Sequence, residues 1–378
     1  MVHSRCRVPR HGPAARLVMA GDEDEQLLGV VASALVTLEE LRDLTAFRMP
    51  YPAPVQGALD RLALHCLRRG ARPPSSVPGL VRWGYERPLG AWPLVLPAAG
   101  YSPDDLLLDE DSGAPTALCH EIALCAEVSN PFLEVSRRMA AMAAFASERN
   151  RASTYRAMRD LLTTYQVLGN DRYNEVRFGA RIGPLDDFLG EFFVPIGPGY
   201  DVGGEIHACA SCGGPLLATG ENAWWCERDE CRAAGVVVPG ERWDHEDQVK
   251  VQGDRRHRQF VAGPGRVVRH FGTALERSGA QVGYWPLTGP GELRVTVPEG
   301  RARTVKIVDW HSPALLGRAI AASVSGSSTD AVCWVVARYR TGADPAYLRV
   351  AEEYANSPMV FSEDGFLDLI RREVTGDA

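Results

Sequence analysis

The sequence contains only two lysines, Lys250 and Lys306, among 41 basic residues, so arginine carries nearly all of its positive charge. It has no run of about 18 apolar residues, which excludes a membrane-spanning helix. The first 17 residues are followed by an acidic run at 22–25 rather than by an apolar segment, which argues against a secretion signal. We therefore expect a cytoplasmic protein with no membrane partner and with a disordered leader over residues 1–22.

The bulk composition is that of a soluble globular protein with two or three domains. The 378 residues are 45% hydrophobic and 24% charged. A net charge of −7 excludes a protein that coats nucleic acid over its whole surface, but it permits a local basic face. The nine cysteines, an odd number without a secretion signal, argue against a disulfide framework.

The N-terminal half shows helical periodicity. Apolar residues recur at three and four positions over 26–48, 55–69 and 130–168, which predicts helices, whereas the Pro- and Trp-rich stretch 71–100 predicts irregular structure. We therefore expect a leader over 1–22, a helical domain over 23–178, a linker with a zinc ribbon over 179–250, and a further domain over 251–378.

The last domain alternates helices and strands. Helices are predicted over 266–278, 313–323, 344–355 and 362–373, and strands over 281–285, 292–297, 303–310, 331–337 and 359–361. The order αβββαβ, with additions, predicts an α/β fold with a mixed sheet and is the layout of the restriction-endonuclease fold.

A cysteine cluster lies between the two halves. Its members are Cys209, Cys212, Cys226 and Cys231, spaced as Cys-x2-Cys and Cys-x4-Cys with thirteen residues between the pairs. Two pairs of thiolates suit a tetrahedral zinc ion, and a closed set of four leaves no position for a reactive water, so we expect structural zinc. The glycines at 213–214 favour a knuckle with positive φ, and the tryptophans at 224–225 can cover a small core. His207 is an alternative ligand.

Residues 250–277 form a basic segment, with seven Lys or Arg and two acidic residues. Such a concentration of fixed charge is typical of phosphate binding, although a solvated helix face shows the same pattern. The candidate nucleic-acid contacts are Arg255, Arg256, Arg258, Arg266 and Arg269.

The strands offer an incomplete set of catalytic residues. An active restriction-endonuclease fold carries a carboxylate on its second strand and an acid-x-Lys pattern on its third, which together hold Mg²⁺ and orient water. The second strand here offers Glu292, but on the third Lys306 stands where an acid is expected, and Asp309 follows three residues later. These three residues are the catalytic candidates for a rearranged site that would need Mg²⁺; otherwise the site is degenerate.

Several stretches resemble one family. Residues 258–265 (RQFVAGPG), 292–300 and 305–310 are similar to the restriction-endonuclease-like protein associated with the prokaryotic PIWI (pPIWI-RE) defence module, and the cysteine ribbon and residues 73–80 fit the same family. The resemblance implies a bacterial system with a PIWI-like protein and a helicase that acts on invading DNA or RNA–DNA hybrids. It also implies that the family's third-strand Asp and Lys correspond to Lys306 and Val308, which argues against catalysis.

We therefore predict a nuclease-fold defence component that binds DNA or RNA–DNA hybrid with a degenerate catalytic site. The alternatives are an active Mg²⁺-dependent endonuclease with a rearranged site, and a protein-binding adaptor that makes no nucleic-acid contact.

Overall fold

A computed structural model of the chain describes residues 20–40, 51–97, 100–179, 182–244, 251–287, 291–298, 300–324 and 332–376. Most of the predicted leader, residues 1–19, lies outside this description, as does Lys250. The N-terminal region is mainly helical, as predicted. Its elements are α1 (Ala20–Glu40), α2 (Ala53–Arg68), α3 (Val77–Glu86), α4 (Ala117–Glu127), α5 (Pro131–Glu148), α6 (Ala152–Thr164), β1 (Val167–Leu168), α7 (Asn170–Phe178), α8 (Leu189–Phe192) and β2 (Phe193–Pro195).

Two local predictions in this region were wrong. The stretch 71–100 contains α3, which begins because the Ser76 hydroxyl accepts a hydrogen bond from Gly79 N at 3.2 Å. Its proline lies in the first turn, where a helix tolerates the missing N–H, so it does not break the helix. The helix expected up to residue 168 ends at Thr164, and Val167–Leu168 forms a strand instead.

The middle of the chain consists of short strands and one short helix, α9 (Asp229–Ala233). The strands are β3 (Asp201–Val202), β4 (Glu205–Cys209), β5 (Leu216–Gly220), β6 (Ala223–Cys226), β7 (Pro239–Asp244) and β8 (Val251–Gly253). They form a sheet of order β3-β4-β7 and a hairpin β5-β6, while β8 lies between β1 and β2 in a third sheet. This segment is therefore tied to the helical region by backbone pairing.

The C-terminal part is an α/β layer. A short helix α10 (Arg255–His257) continues through a π-helical turn at Arg258–Ala262 into α11. The remaining elements are α11 (Gly263–Arg277), β9 (Gln281–Tyr284), β10 (Leu293–Thr296), β11 (Ala302–Val308), α12 (Pro313–Val324), β12 (Val332–Val336), α13 (Arg338–Ala343), α14 (Tyr347–Ala355), β13 (Val360–Ser362) and α15 (Glu363–Thr375). The sheet order is β13-β12-β11-β10-β9; β9, β10 and β11 are antiparallel, and β11, β12 and β13 are parallel.

The two faces of this sheet belong to two hydrophobic cores. Val305 and Ile307 point to one face, where they pack with residues of α5, α6, α11 and α15. Val308 and Trp334 point to the other face, where they pack with residues of α1 to α4, α12 and α14. Each large buried side chain contributes about 1.5–3 kcal/mol. The helical region thus covers both faces, and both cores cross the predicted domain boundaries.

One glycine allows a close helix contact. A Cβ added to Gly29 in α1 would lie 2.5 Å from the Ala126 Cβ in α4, a distance shorter than carbon atoms tolerate. The small residues at this crossing therefore fix how closely α1 approaches α4.

No helix in the described residues is both long and apolar enough to cross a bilayer.

Candidate metal centre and nuclease-like site

The four cysteines of the predicted ribbon converge on one point. Cys209 ends β4, Cys226 ends β6, Cys231 lies in α9, and Cys212 lies in the turn after β4; all four are buried. Their sulfur atoms lie within 4.8 Å of one another, and the Cys212 and Cys226 sulfurs are 3.5 Å apart. Zinc–sulfur bonds of about 2.3 Å in a tetrahedron place the sulfurs about 3.8 Å apart. The residues therefore fit a metal ion such as zinc, and no other group of three or more such ligands was found in the described part of the chain.

The backbone around the first pair has the geometry of a metal knuckle. Gly213 has φ +71°, and its N–H donates to Cys209 O at 2.8 Å. Gly214 does not need positive φ, and its N–H donates to the Cys212 sulfur at 3.4 Å. His207 instead contacts the Trp224 ring, with centroids 4.4 Å apart and ring planes tilted by 48°, and does not belong to the cysteine group.

The two tryptophans predicted to cover the ribbon core, Trp224 and Trp225, pack on different sides of it. Trp224 packs against the cysteine cluster, whereas Trp225 packs with Leu217 and Ala114 of the helical region. The pair therefore covers the ribbon core and also attaches it to its neighbour.

The segment between the second pair of cysteines places charged side chains in the protein interior. We call residues 227–230 the knuckle loop. Its first residue, Glu227, is 4% exposed and accepts from Arg258 Nε at 2.7 Å, from Arg258 Nη2 at 2.6 Å and from Arg255 Nε at 3.2 Å. Burial alone would raise the pKa of Glu227, but the two guanidinium groups outweigh it and lower the pKa to about 2. Arg258 also donates to Gln252 and to Gly253 O.

The next two residues of the knuckle loop reach the end of the third strand of the large sheet. Arg228 donates to the Asp309 carboxylate at 3.3 Å, and Asp229 accepts from Arg340 Nη1 at 2.7 Å. Arg340 Nε donates to Asp309 at 2.9 Å, and the Tyr339 hydroxyl donates to the same oxygen. Asp309, 7% exposed, is therefore enclosed by two guanidinium groups and a phenol.

The same network extends to the helical region through His311. The His311 ring lies 3.2 Å from Asp229 and 3.4 Å from Asp105, which precedes α4. Burial opposes protonation, but hydrogen bonds to these two carboxylates outweigh it and raise the His311 pKa to about 10. Glu121 of α4 accepts from the backbone N–H groups of His311 and Ser312. The ribbon, the sheet and the helices thus meet in one charged junction.

Glu292 immediately precedes β10 and Lys306 lies on the neighbouring strand β11, apart from Asp309. Glu292 Oε2 accepts from Ile307 N at 3.0 Å. Lys306, 7% exposed, has its Nζ 3.4 Å from the Ser136 hydroxyl and 4.7 Å from the ring centre of Phe132. Burial lowers the pKa of Lys306 and raises that of Glu292. The three catalytic candidates therefore form two separate groups, with Asp309 engaged by its own partners.

The five candidate nucleic-acid-binding arginines all have partners within the chain. Arg255 and Arg258 bind Glu227, Arg256 binds Glu127, Arg266 binds the carbonyls of Ser211 and Cys212, and Arg269 binds Asp160. The Arg258 side chain is 3% exposed and forms part of the interior, whereas those of Arg256 and Arg269 are 39% and 58% exposed. Nucleic-acid binding by this set stays a prediction.

Two family models match the chain. One, described as pPIWI_RE three-gene island domain Y, matches residues 27–169, and the other, described as REase associating with pPIWI_RE, matches residues 265–378. Together they span about two thirds of the sequence. The chain belongs to the pPIWI-RE-associated restriction-endonuclease-like proteins. No curated protein and no solved structure matches it.

The family assignment confirms the predicted resemblance. The cysteine cluster lies between the two ranges that the pPIWI-RE models match, as does the knuckle loop. The junction residues Arg228, Asp229, His311 and Arg340 were missed by the sequence reasoning. The one signal for them was the charged run Glu-Arg-Asp-Glu within the longer Cys-x4-Cys spacing.

Proposed function

We propose that this pPIWI-RE-associated chain is a nuclease-fold component of a defence system, and that it binds DNA or RNA–DNA hybrid without cleaving it. A PIWI-like protein and a helicase of the same module are its proposed partners. The order α11-β9-β10-β11-α12-β12 supports an αβββαβ restriction-endonuclease-like domain over 251–378. The cysteine geometry supports structural zinc within 179–250, as a link to the helical domain over 23–178.

The proposal of a degenerate site rests on the hydrogen bonds that already occupy the Asp309 carboxylate. A divalent cation needs carboxylate oxygens that are free to coordinate it. Asp309 accepts from Arg340, Arg228 and Tyr339, and Glu292 Oε2 accepts from a backbone N–H. Lys306 stands next to Glu292, where its charge opposes a second cation. To bind a metal, Asp309 would have to give up buried ion pairs, at a cost of several kcal/mol, and Glu292 would have to give up its backbone hydrogen bond.

Nucleic-acid binding is supported by the exposed arginines of α10 and α11. Arg256 and Arg269 each have one acidic partner and enough exposure to exchange it for a phosphate. Surface ion pairs of this kind are worth about 0–1 kcal/mol, so a phosphate can compete with the carboxylate.

The test combines a cleavage assay and a binding assay on the full chain. Plasmid DNA, single-stranded DNA and RNA–DNA hybrid are incubated with Mg²⁺ or Mn²⁺, with EDTA as the reference. We expect no cleavage with any substrate. Metal-dependent cleavage that disappears in Glu292→Gln would refute the degenerate site and establish the alternative of an active endonuclease.

Binding is measured by fluorescence anisotropy between 50 and 200 mM salt. We expect affinity to fall as salt rises, and the salt slope to decrease by about one in Arg269→Gln, because this variant neutralises one phosphate fewer. Arg349→Gln on α14, whose side chain is 71% exposed, is the matched control and should leave the slope unchanged. Absence of binding to every nucleic acid would favour the adaptor alternative.

A further inference from the structure

The knuckle loop joins two of the cysteine ligands and reaches the large sheet. Cys226 precedes the loop and Cys231 follows it, so a metal held by both cysteines fixes the loop at its two ends. The Arg228 side chain points from this loop into the protein and is 12% exposed, and its Nη2 atom donates to the Asp309 carboxylate at 3.3 Å. A short segment between two ligands therefore places a guanidinium group on a carboxylate at the end of β11.

A glycine of α11 makes room for the Arg228 side chain. A Cβ added to Gly263 would lie 2.3 Å from Arg228 Nη1, which is shorter than side chains tolerate. The guanidinium group thus lies between the beginning of α11 and the carboxylate of Asp309. Because protein interiors are close-packed, the knuckle loop cannot shift without moving this group.

The first pair of cysteines contacts the same helix. Arg266 donates to the backbone carbonyl of Cys212 at 3.0 Å and also to that of Ser211. Gly263 and Arg266 are three residues apart on α11, and residues at this spacing lie on one face of a helix. This face therefore contacts the first pair of cysteines through Arg266 and the loop of the second pair through Arg228.

Asp309 connects the ribbon to α13. Its Oδ1 atom accepts from Arg340 Nε at 2.9 Å and from the Tyr339 hydroxyl, while its Oδ2 atom accepts from Arg228. Arg340 also donates to Asp229 of the knuckle loop at 2.7 Å. Asp309 is 7% exposed, so water cannot readily replace a partner that moves away. Displacement of the loop leaves buried charges unpaired, and this energetic cost couples the loop to the sheet.

We propose that zinc binding by the four cysteines and the ion pairs of Asp309 stabilise each other, so that the ribbon is a metal-dependent lock on the end of β11. Held at both ends, the knuckle loop presents Arg228 to Asp309 and Asp229 to Arg340. Without the metal the loop is released, and these ion pairs open. Such coupling is reciprocal, so a change at Asp309 also changes the affinity of the cysteines for zinc. The lock goes beyond the proposed function, because it involves neither nucleic acid nor cleavage.

The first test measures the zinc affinity of the full chain by competition with a chromophoric chelator. We expect Asp309→Asn, which removes no cysteine, to lower the affinity about 10-fold, within the range usual for coupled sites. Asp364→Asn is the matched control, because it breaks an ion pair with Arg338 whose side chains are 61% and 66% exposed, and it should leave the affinity unchanged. Absence of zinc from the native protein, or equal affinity in native protein and Asp309→Asn, would overturn the lock.

Gly263→Ala tests the coupling without changing a charge, for the case that Asp309→Asn does not fold. The new Cβ displaces the Arg228 guanidinium, so we expect zinc affinity to fall about 5-fold. Gly342→Ala on α13, whose added Cβ has nothing within 4 Å, is the matched control and should bind zinc like the native protein. Circular dichroism checks that both variants are folded. The same zinc affinity in the two glycine variants would contradict the coupling.

Hydrogen exchange followed by mass spectrometry tests the reciprocal effect. After zinc is removed with a chelator, amide exchange should become faster in the ribbon and also in residues 305–312 and 338–343, while α2 (Ala53–Arg68) stays unchanged. Faster exchange confined to residues 203–244, or equally faster over the whole chain, would overturn the lock. Cleavage of nucleic acid, or failure to bind it, refutes the proposed function but leaves these measurements unaffected, so the two proposals can fail separately.

Discussion

The ion pairs between Glu227 of the knuckle loop and the arginines at 255 and 258 can be broken by one isosteric substitution. Glu227→Gln keeps the shape of the side chain but removes the charge that Arg258 and Arg255 share. Since Glu227 and Arg258 are each 4% exposed, water cannot replace the missing carboxylate without opening the interior. We therefore expect a large decrease in stability from a substitution that leaves the cysteine ligands unchanged.

The expected loss of folding stability depends on which charged partners remain in each variant. Glu227→Gln leaves two buried guanidinium groups without a carboxylate, and breaking a buried pair in this way costs about 3–5 kcal/mol. Arg258→Met leaves Glu227 with Arg255 at 3.2 Å, so its expected cost is smaller, about 2–3 kcal/mol. The double variant has no charge at position 258 to leave unpaired. We therefore expect it to lose about 4 kcal/mol of stability, less than the sum of the two single losses, which corresponds to a coupling energy of about 2 kcal/mol between Glu227 and Arg258.

The assay is urea and thermal unfolding of the four proteins in the cycle, with metal content checked in each. An unfolding entropy of about 2.1 cal/mol/K per residue over 378 residues corresponds to about 1.3 °C per kcal/mol, so Glu227→Gln should lower Tm by about 4–6 °C. Glu127→Gln is the matched control, because it breaks the Arg256 ion pair, whose side chains are 39% and 35% exposed. We expect the control to change stability by less than about 1 kcal/mol.

Two results would refute this reasoning. The first is a cost below about 1 kcal/mol for Glu227→Gln, as for a surface pair. The second is additivity of the two single variants, which would mean that Glu227 and Arg258 do not stabilise the fold through each other.

Three further predictions concern the metal, one helix crossing and pH. Elemental analysis should find one zinc per chain that is retained in Cys125→Ser but lost in Cys226→Ser, and chelation should make residues 203–244 sensitive to protease; an intact segment after complete chelation would contradict a structural metal. Gly29→Ala should destabilise by about 1–3 kcal/mol, because its new Cβ meets Ala126 at 2.5 Å, whereas Gly57→Ala on α2 has nothing within 4 Å and should be neutral or stabilising in the same urea titration. Burial lowers the pKa of His257 to about 4, below the value of 6.5 for a free imidazole, so its contribution to stability is present above pH 6.5 and is lost as pH falls toward 4. Between pH 7.5 and 5 this decrease should be about 2 kcal/mol and should be absent in His257→Gln; the same pH dependence in both proteins would exclude His257 as its origin.

Features that depend on residues close together in the sequence were predicted well. The predicted strands and helices of the C-terminal part differ from the observed bounds by a few residues, whereas the short helix α13 (Arg338–Ala343) was not predicted. Periodicity fixes which side of a helix or strand is buried, and the spacing of the cysteines fixes a tetrahedral set, because both depend on neighbours a few residues apart. The proline of α3 suggested irregular structure, but in the first turn of a helix a proline is tolerated, so its effect depends on its position in the helix.

Residue patterns along the chain were sufficient to predict the family, the helical and α/β halves, and a four-cysteine cluster able to hold a metal ion. Which charged side chains contact one another depends instead on how distant parts of the chain pack together. Asp309 and Arg228 are 81 residues apart in the chain, and Asp105 and His311 are 206 apart, yet each pair lies within hydrogen-bonding distance. Residues so distant leave no periodic trace in one sequence, because their contact depends on how the ribbon, the sheet and the helices pack together. Whether a carboxylate is free to bind a cation is therefore decided by packing.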